Sequence, residues 1–158
     1  MEELRQAWDQ LVDAYEQGCA DSDCLPLVRA WIEAWDNAFW ANDFSAFPHI
    51  YSEDVEVENH TIVPFINGWR GIEGFRRVRE DASDVASWFS FDIRSFRRAP
   101  KGRFVGTGRI RARGRYSSIV VQAPLSVVWT TRDRKVSRVE AYTSARKALH
   151  HAGIDATA

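Results

Sequence analysis

Apolar residues recur at helical spacing up to about Trp40 and at alternate positions from about Trp88 onward, with a mixed stretch between the two regimes. Leu4, Trp8, Leu11 and Tyr15 share one face, and Gly18 supplies a natural stop, which predicts an amphipathic helix over residues 2–17. The segment DSDC offers Ser22 or Asp23 as an N-cap, with Pro26 in the first turn. Val28, Trp31, Ile32, Trp35 and Phe39 then form an apolar stripe, so a longer helix is expected to about Trp40. Asn42 breaks that helix, Asp43 caps a short one, and VEVEN (55–59) alternates as a first strand.

Residues 61–71, TIVPFINGWRG, hold Pro64, Gly68 and Gly71 among apolar residues, as expected of a structured loop of the kind that covers sites. IEGFRRVREDAS reads as a third main helix carrying Ile72, Phe75 and Val78, ending before Ser87. WFSFDIRSF, RFVGTGRIRARGRY, SSIVVQAPLSVVWTT and KVSRVEAY then follow the period of two, with APKG and RDR as turns, which predicts four long antiparallel strands. In RIRARGR the arginines 109, 111, 113 and 115 fall on one face. Gly108, Ile110, Ala112 and Gly114 fall on the other, where small residues permit close packing and strong curvature. Helices first, then a curved antiparallel sheet and a short C-terminal helix, describe an α+β fold: a cone-shaped barrel covered by three N-terminal and middle helices. Its hollow is where a ligand would go.

Composition changes this picture little. With 158 residues, 45% hydrophobic and 13% aromatic, the chain has enough apolar surface for one core, and we expect a single domain over 1–158, with 1–24 as an extra N-terminal helix and 25–154 as the core. The opening MEELRQAWDQ lacks the pattern of a signal peptide and no apolar run is long enough to span a bilayer, so a soluble, cytoplasmic protein with no membrane partner is expected. Cys19 and Cys24 are too few for a disulfide framework and are expected to be free thiols. Charge is uneven: residues 1–60 carry 14 acids against Arg5 and Arg29, while residues 61–158 carry 19 Lys or Arg against 8 acids. Packing of the two halves or assembly of subunits accounts for that imbalance, so nucleic acid is not the expected partner and the arginine row reads as a solvated or subunit-facing surface.

VVWTTRDRKVSRVEAYTSARKALHHAGI (127–154) resembles the closing segment of SnoaL-like proteins of the nuclear-transport-factor-2-like superfamily: an aromatic strand, a D-G-K turn, a strand finishing in Tyr, and A-L-x-x-A-G-[LI]. Arg134 stands where the family turn has Gly. AWDNAFWANDFSAFPHIYSEDVEVEN resembles the family's helix, acidic turn and first strand, and GWRGIEGF its aromatic-Arg-Gly step into the third helix. The resemblance implies a conical α+β barrel with an apolar pocket, a homodimer formed through the outer sheet face, and cofactor-independent chemistry ranging over isomerases, epoxide hydrolases, polyketide cyclases, dehydratases and non-catalytic members. Fold alone does not choose among these.

The family's catalytic acids are replaced. Asn59 stands at the steroid isomerases' general base, an amide that cannot take a proton near neutral pH. Their tyrosine falls near Trp35 and their protonated aspartate near Ser126 or Val127. The acids of epoxide hydrolases and cyclases fall on Gly108, Ile110 and Ala141. What remains polar is Glu58, Asn59, His60, Trp69 and Arg70, expected at the pocket's mouth. His60 is therefore the candidate acid or base and Asn59 the candidate hydrogen-bond donor to a ligand carbonyl. Trp35, Phe39, Trp69, Arg70, Trp129 and Tyr142 are the candidate substrate-binding residues, within a wider aromatic set that includes Trp31, Phe89 and Phe91. No metal site is expected from the spacing of His49, His60, His150 and His151. Glu140, by strand alternation, is expected to point away from the pocket. The resulting expectation is an isomerase, cyclase or dehydratase acting on an apolar carbonyl or polycyclic substrate, with a non-catalytic binder of hydrophobic ligands as the alternative.

Overall fold

The computed structural model describes residues 2–61 and 68–154. Most of the loop expected at 61–71, residues 62–67, lies outside them. Helix α1, Glu2–Glu16, buries Leu4, Trp8, Leu11 and Val12. Gly18, at φ +78, takes the left-handed turn that ends it. Helix α2 spans Asp21–Trp40, starting ahead of the predicted cap, so Pro26 lies inside the helix. The start is early because the Ala20 carbonyl accepts from the backbone N–H groups of both Asp23 and Cys24, each at 2.9 Å. Cys19 and Cys24 are joined as a disulfide with Cα atoms 5.9 Å apart. The expectation of free thiols is thereby overturned: the chain reverses at Gly18 and brings the two residues together across the start of α2. Among the described residues no helix is long and apolar enough to cross a membrane.

Asn42, at φ +57, breaks the chain out of α2. Asp43 does not cap the next helix; its carboxylate accepts from the Ser45 N–H and hydroxyl in the preceding turn. The short α3, Phe47–Ile50, leads into β1, Tyr51–His60. A two-residue strand β2, Trp69–Arg70, precedes helix α4, Glu73–Val85. The four long strands follow as expected: β3 Ala86–Ala99, β4 Arg103–Gly114, β5 Val120–Arg132 and β6 Lys135–Tyr142, with helix α5 at Ala145–His151.

The fold is α+β, with one six-stranded sheet in the order β2-β1-β6-β5-β4-β3. The sheet is mixed and open, where the sequence suggested an antiparallel barrel: β1 runs parallel to β6 while the other pairs are antiparallel, and among the described residues β2 and β3 are the edge strands. The β1–β6 pairing is parallel because the whole meander from β3 to β6 intervenes in sequence, so no hairpin dictates its direction. In the β5–β6 hairpin Asp133 and Arg134 both have positive φ (55 and 63), the geometry of a two-residue turn that favours glycine. Arg134 is held there by ion pairs to Asp13 and Glu16 of α1, both at 2.7 Å, and its carbonyl accepts from the Trp8 indole. These contacts offset the backbone strain and explain an arginine where the family pattern has glycine.

Inward residues of the sheet, including Phe89, Ile93, Phe104, Ile110, Leu125, Val127 and Trp129, pack with α1, α2, α3 and α4 in the main core. The outer face carries a second, smaller cluster in which Val105, Val128 and Tyr142 meet Ala148 and Ala152 of α5. Along β4 the alternation is as read from the sequence: Ile110 is buried while Arg109, Arg111 and Arg113 are exposed.

Three side chains of α2 lie over the edge of β3. Arg29 donates from Nε to the Ile93 carbonyl at 2.8 Å, Trp40 donates to the Phe89 carbonyl at 3.0 Å, and Asp36 accepts from the Phe91 backbone N–H. Spacings of seven and four put the three on one helix face, and they take groups from alternate strand residues as a neighbouring strand would. An exposed edge is otherwise a template for pairing with another chain. Replacing two of the three, Arg29→Ala with Trp40→Phe, should cost about 2 kcal/mol, roughly one per lost bond. It should also raise self-association above that of the unaltered protein, measured by sedimentation velocity; an unchanged sedimentation profile would contradict the guarding role.

Candidate functional site

Between α2 and the inner sheet face lies a cavity of about 130 Å³. Its wall is almost wholly apolar and includes Trp31, Trp35, Val57, Trp129, Val139 and Ala141. Ile110, Val127 and Ala141 all face it as apolar side chains. Trp129 is braced by Phe104 (centroids 5.0 Å) and Trp31 (5.4 Å). Trp35 donates to the Tyr51 hydroxyl at 2.8 Å, so both polar atoms are satisfied inside the apolar wall. Trp69 lies flat against Gly74 of α4, where any Cβ would overlap the indole ring, and contacts Phe75 at 5.1 Å. Phe39 is fully buried behind the wall, stacked on Trp35 at 4.9 Å.

Two titratable side chains line this cavity: Tyr51, whose hydroxyl burial holds well above its usual range, and Asp36. Asp36 lines it and also lines a larger groove of about 670 Å³ that runs along α2 and the edge of β3. Ile32, Phe89 and Phe91 are likewise common to both spaces. Burial pushes the Asp36 carboxyl from 3.8 up to about 7; the Phe91 N–H bond opposes the rise and the negative charge of Glu33 adds to it. A carboxyl poised near neutral pH beside an apolar hollow is equipped to give and take protons.

Of the residues singled out from the sequence, Trp35, Trp69 and Trp129 line the cavity and Phe39 supports it. His60, Arg70 and Tyr142 lie on the outer sheet face. The His60 ring stacks on Tyr142 at 4.8 Å and its Nε2 is 3.2 Å from Glu58. Arg70 pairs with Glu56. Tyr142 donates to Glu140 at 2.8 Å, and burial together with that carboxylate raises its pKa. Asn59, at the end of β1, accepts from the Thr61 N–H at 2.9 Å and hydroxyl at 2.5 Å, the bonding of a strand terminus. Strand alternation is the reason for the split: His60, Glu58, Glu140 and Tyr142 share the face opposite Ala141 and Val57.

That outer cluster also revises the reading of metal ligands, since Glu58, His60 and Glu140 bring donor atoms within 4.8 Å of one another. The Arg138 guanidinium already occupies their midst, at 2.5 Å from Glu58 and 3.3 Å from Glu140. Burial pulls the Glu58 carboxyl up, but the bond to His60 and the Arg138 charge outweigh it and hold its pKa below the usual value. A protein cation thus supplies the positive charge that an ion would bring.

Asp36 is a candidate that sequence reasoning missed. Its signal is a carboxylate four residues after Ile32 and eight after Val28, on the flank of an otherwise apolar helical stripe.

The fold recurs in solved structures. A hypothetical protein with a ketosteroid isomerase-like fold from Catenulispora acidiphila, in complex with trimethylamine, superimposes with a TM-score of 0.58 at 16% identity, covering 80% of this chain and 95% of that one. A nuclear-transport-factor-2-like protein from Burkholderia xenovorans does so with a TM-score of 0.55 at 16% identity, covering 93% of this chain and 95% of that one. The chain has the nuclear-transport-factor-2-like fold. TerC, co-crystallised with polyporic acid, shares this fold with a TM-score of 0.57 at 18% identity, over 73% of this chain and 89% of its own. No protein-family model matches the sequence, and no curated protein matches it significantly.

Proposed function

We propose that this protein binds a small apolar carbonyl compound in its internal cavity and moves a proton on it, as an isomerase does, with Asp36 as the acid–base group. The observation that carries the reading is the position of Asp36, shared by cavity and groove, with its carboxyl raised to about 7 by burial. In the ionised form it takes a proton from the carbon beside the carbonyl; in the protonated form it returns that proton to a different carbon, so nothing is gained or lost overall. The Phe91 N–H bonds to the carboxylate and opposes the rise in its pKa. Two proteins of this fold carry small molecules, trimethylamine in one and polyporic acid in the other, which supports the fold as a small-molecule container. The homodimer belongs to the same proposal: Arg109, Arg111 and Arg113 stand exposed on the outer sheet face.

Asp36→Asn should lower kcat by about 100-fold or more, the range of general acid–base catalysis, while leaving ligand affinity within about threefold. In the unaltered protein, kcat/KM should rise with pH around an apparent pKa near 7. The almost wholly apolar cavity wall favours a second reading, ligand binding without conversion. Saturable binding with no turnover in either protein would select it.

A further inference from the structure

The cavity and the groove differ in kind. The cavity, at about 130 Å³, presents almost no polar surface, whereas the groove carries Arg29, Glu33, Asn37, Ser90 and Arg111. They meet at Ile32, Asp36, Phe89 and Phe91, so Asp36 stands on the boundary rather than at the bottom of the hollow. An apolar cavity of about 150 Å³ in an unrelated protein takes up benzene and excludes water. A hydroxyl or charge carried against a wall with so little exposed polar surface loses its hydration.

We infer that the substrate has two unlike halves: a hydrocarbon part no larger than one six-membered ring, seated in the cavity, and a single carbonyl end left at the Asp36 boundary, facing the groove through which it enters. This rests on the proposed role of Asp36 and narrows it. Polycyclic carbonyl compounds, which the family resemblance brings into view, exceed the cavity by itself and would have to extend into the groove. The orientation follows from desolvation: the ring reversed would bury the carbonyl against Val127 and Ala141, whose side chains offer it no donor. The carbon that reacts is then the one beside the carbonyl, at the level of the carboxylate.

The test uses three probes, benzene, cyclohexanone and the bicyclic 1-decalone, with binding followed by tryptophan fluorescence and by NMR, and deuterium uptake beside the carbonyl followed in D2O. Benzene and cyclohexanone should bind saturably and 1-decalone about tenfold or more weakly, since a second ring must either force the packed wall apart or extend into the groove. Ala141→Leu, which fills the cavity, should abolish binding of benzene and cyclohexanone alike. Asp36→Asn should keep the order of binding and lose deuterium uptake. If 1-decalone bound as tightly as cyclohexanone, or benzene failed to bind, the inferred substrate class would be overturned. Should Ala141→Leu not fold, the size series on the unaltered chain decides the matter. Binding in the expected order without deuterium uptake upholds the inference on what fits and overturns the proton-transfer reading, so the two fail separately.

Discussion

Asp36→Asn is expected to stabilise the protein at pH 8 by about 2 kcal/mol while leaving it nearly unchanged at pH 4. Burial raises the carboxyl from 3.8 to about 7 in the folded chain. A carboxyl so raised favours the folded state fully below its unfolded value, and that contribution is lost as pH climbs through the folded value. The window is therefore from about 4 to about 7. Each pH unit in it is worth about 1.4 kcal/mol, and screening by the solvent that reaches the partly exposed side chain brings the total down to about 2 kcal/mol. Asparagine has no proton to lose, yet its oxygen can still accept from the Phe91 N–H, so the edge of β3 stays guarded. Urea unfolding at pH 4, 5.5 and 8 measures the difference. A gap between the two proteins that does not widen with pH would show that Asp36 titrates alike in both states, and the case for it as a poised acid would fall. A stabilising change that removes turnover is the pattern of a group kept for chemistry at the expense of the fold.

The architecture was legible because it depends on periodicity. The stripe of Val28, Trp31, Ile32, Trp35 and Phe39 could only be a helix laid on a core, and the row of arginines at 109, 111 and 113 could only leave Ile110 facing inward. The direction of β1 was not legible, since it is set by packing across the sheet and not by a turn. The site was half legible. Alternation applied to Glu140 placed it correctly outside; the same rule applied to Tyr142, two residues on, and to His60, next to the inward-reading Asn59, sends both to the outer face. Polar character drew attention to the end of β1, whereas the poised group is an acid whose shift comes from what covers it. Burial by Phe89 and Phe91, some 50 residues further along, is a tertiary fact that no local pattern contains. The Cys19–Cys24 bond likewise depends on the chain reversing at Gly18, which spacing alone does not fix.

Gly108→Ala should cost about 3 kcal/mol, at the upper end of what forced overpacking costs, although it adds a single methyl group to a strand. The Cβ would stand well inside van der Waals contact with the Asp92 carbonyl oxygen, 2.9 Å from the Asp92 carbonyl carbon and 3.0 Å from the Ile93 Cα. All three are backbone atoms, so no side-chain rotation relieves the clash. The close approach sits at the register shift between Ile93 and Ser95, where β3 bends against β4. Strands β3 and β4 must therefore separate, and β3 carries Phe89, Phe91 and the N–H that holds Asp36. The damage should reach the site: besides a lower urea midpoint, the pH at which kcat/KM reaches half its maximum should move, because the N–H bond restrains the rise in the Asp36 carboxyl. Gly114→Ala is the matched control. Its nearest contact, Ser117 Cβ at 3.4 Å, is ordinary packing, and a change within about 0.5 kcal/mol is expected. If the two substitutions proved equally mild, the contact between the strands would have to be looser than the geometry gives, and the rigid placement of Asp36 by β3 would lose its support.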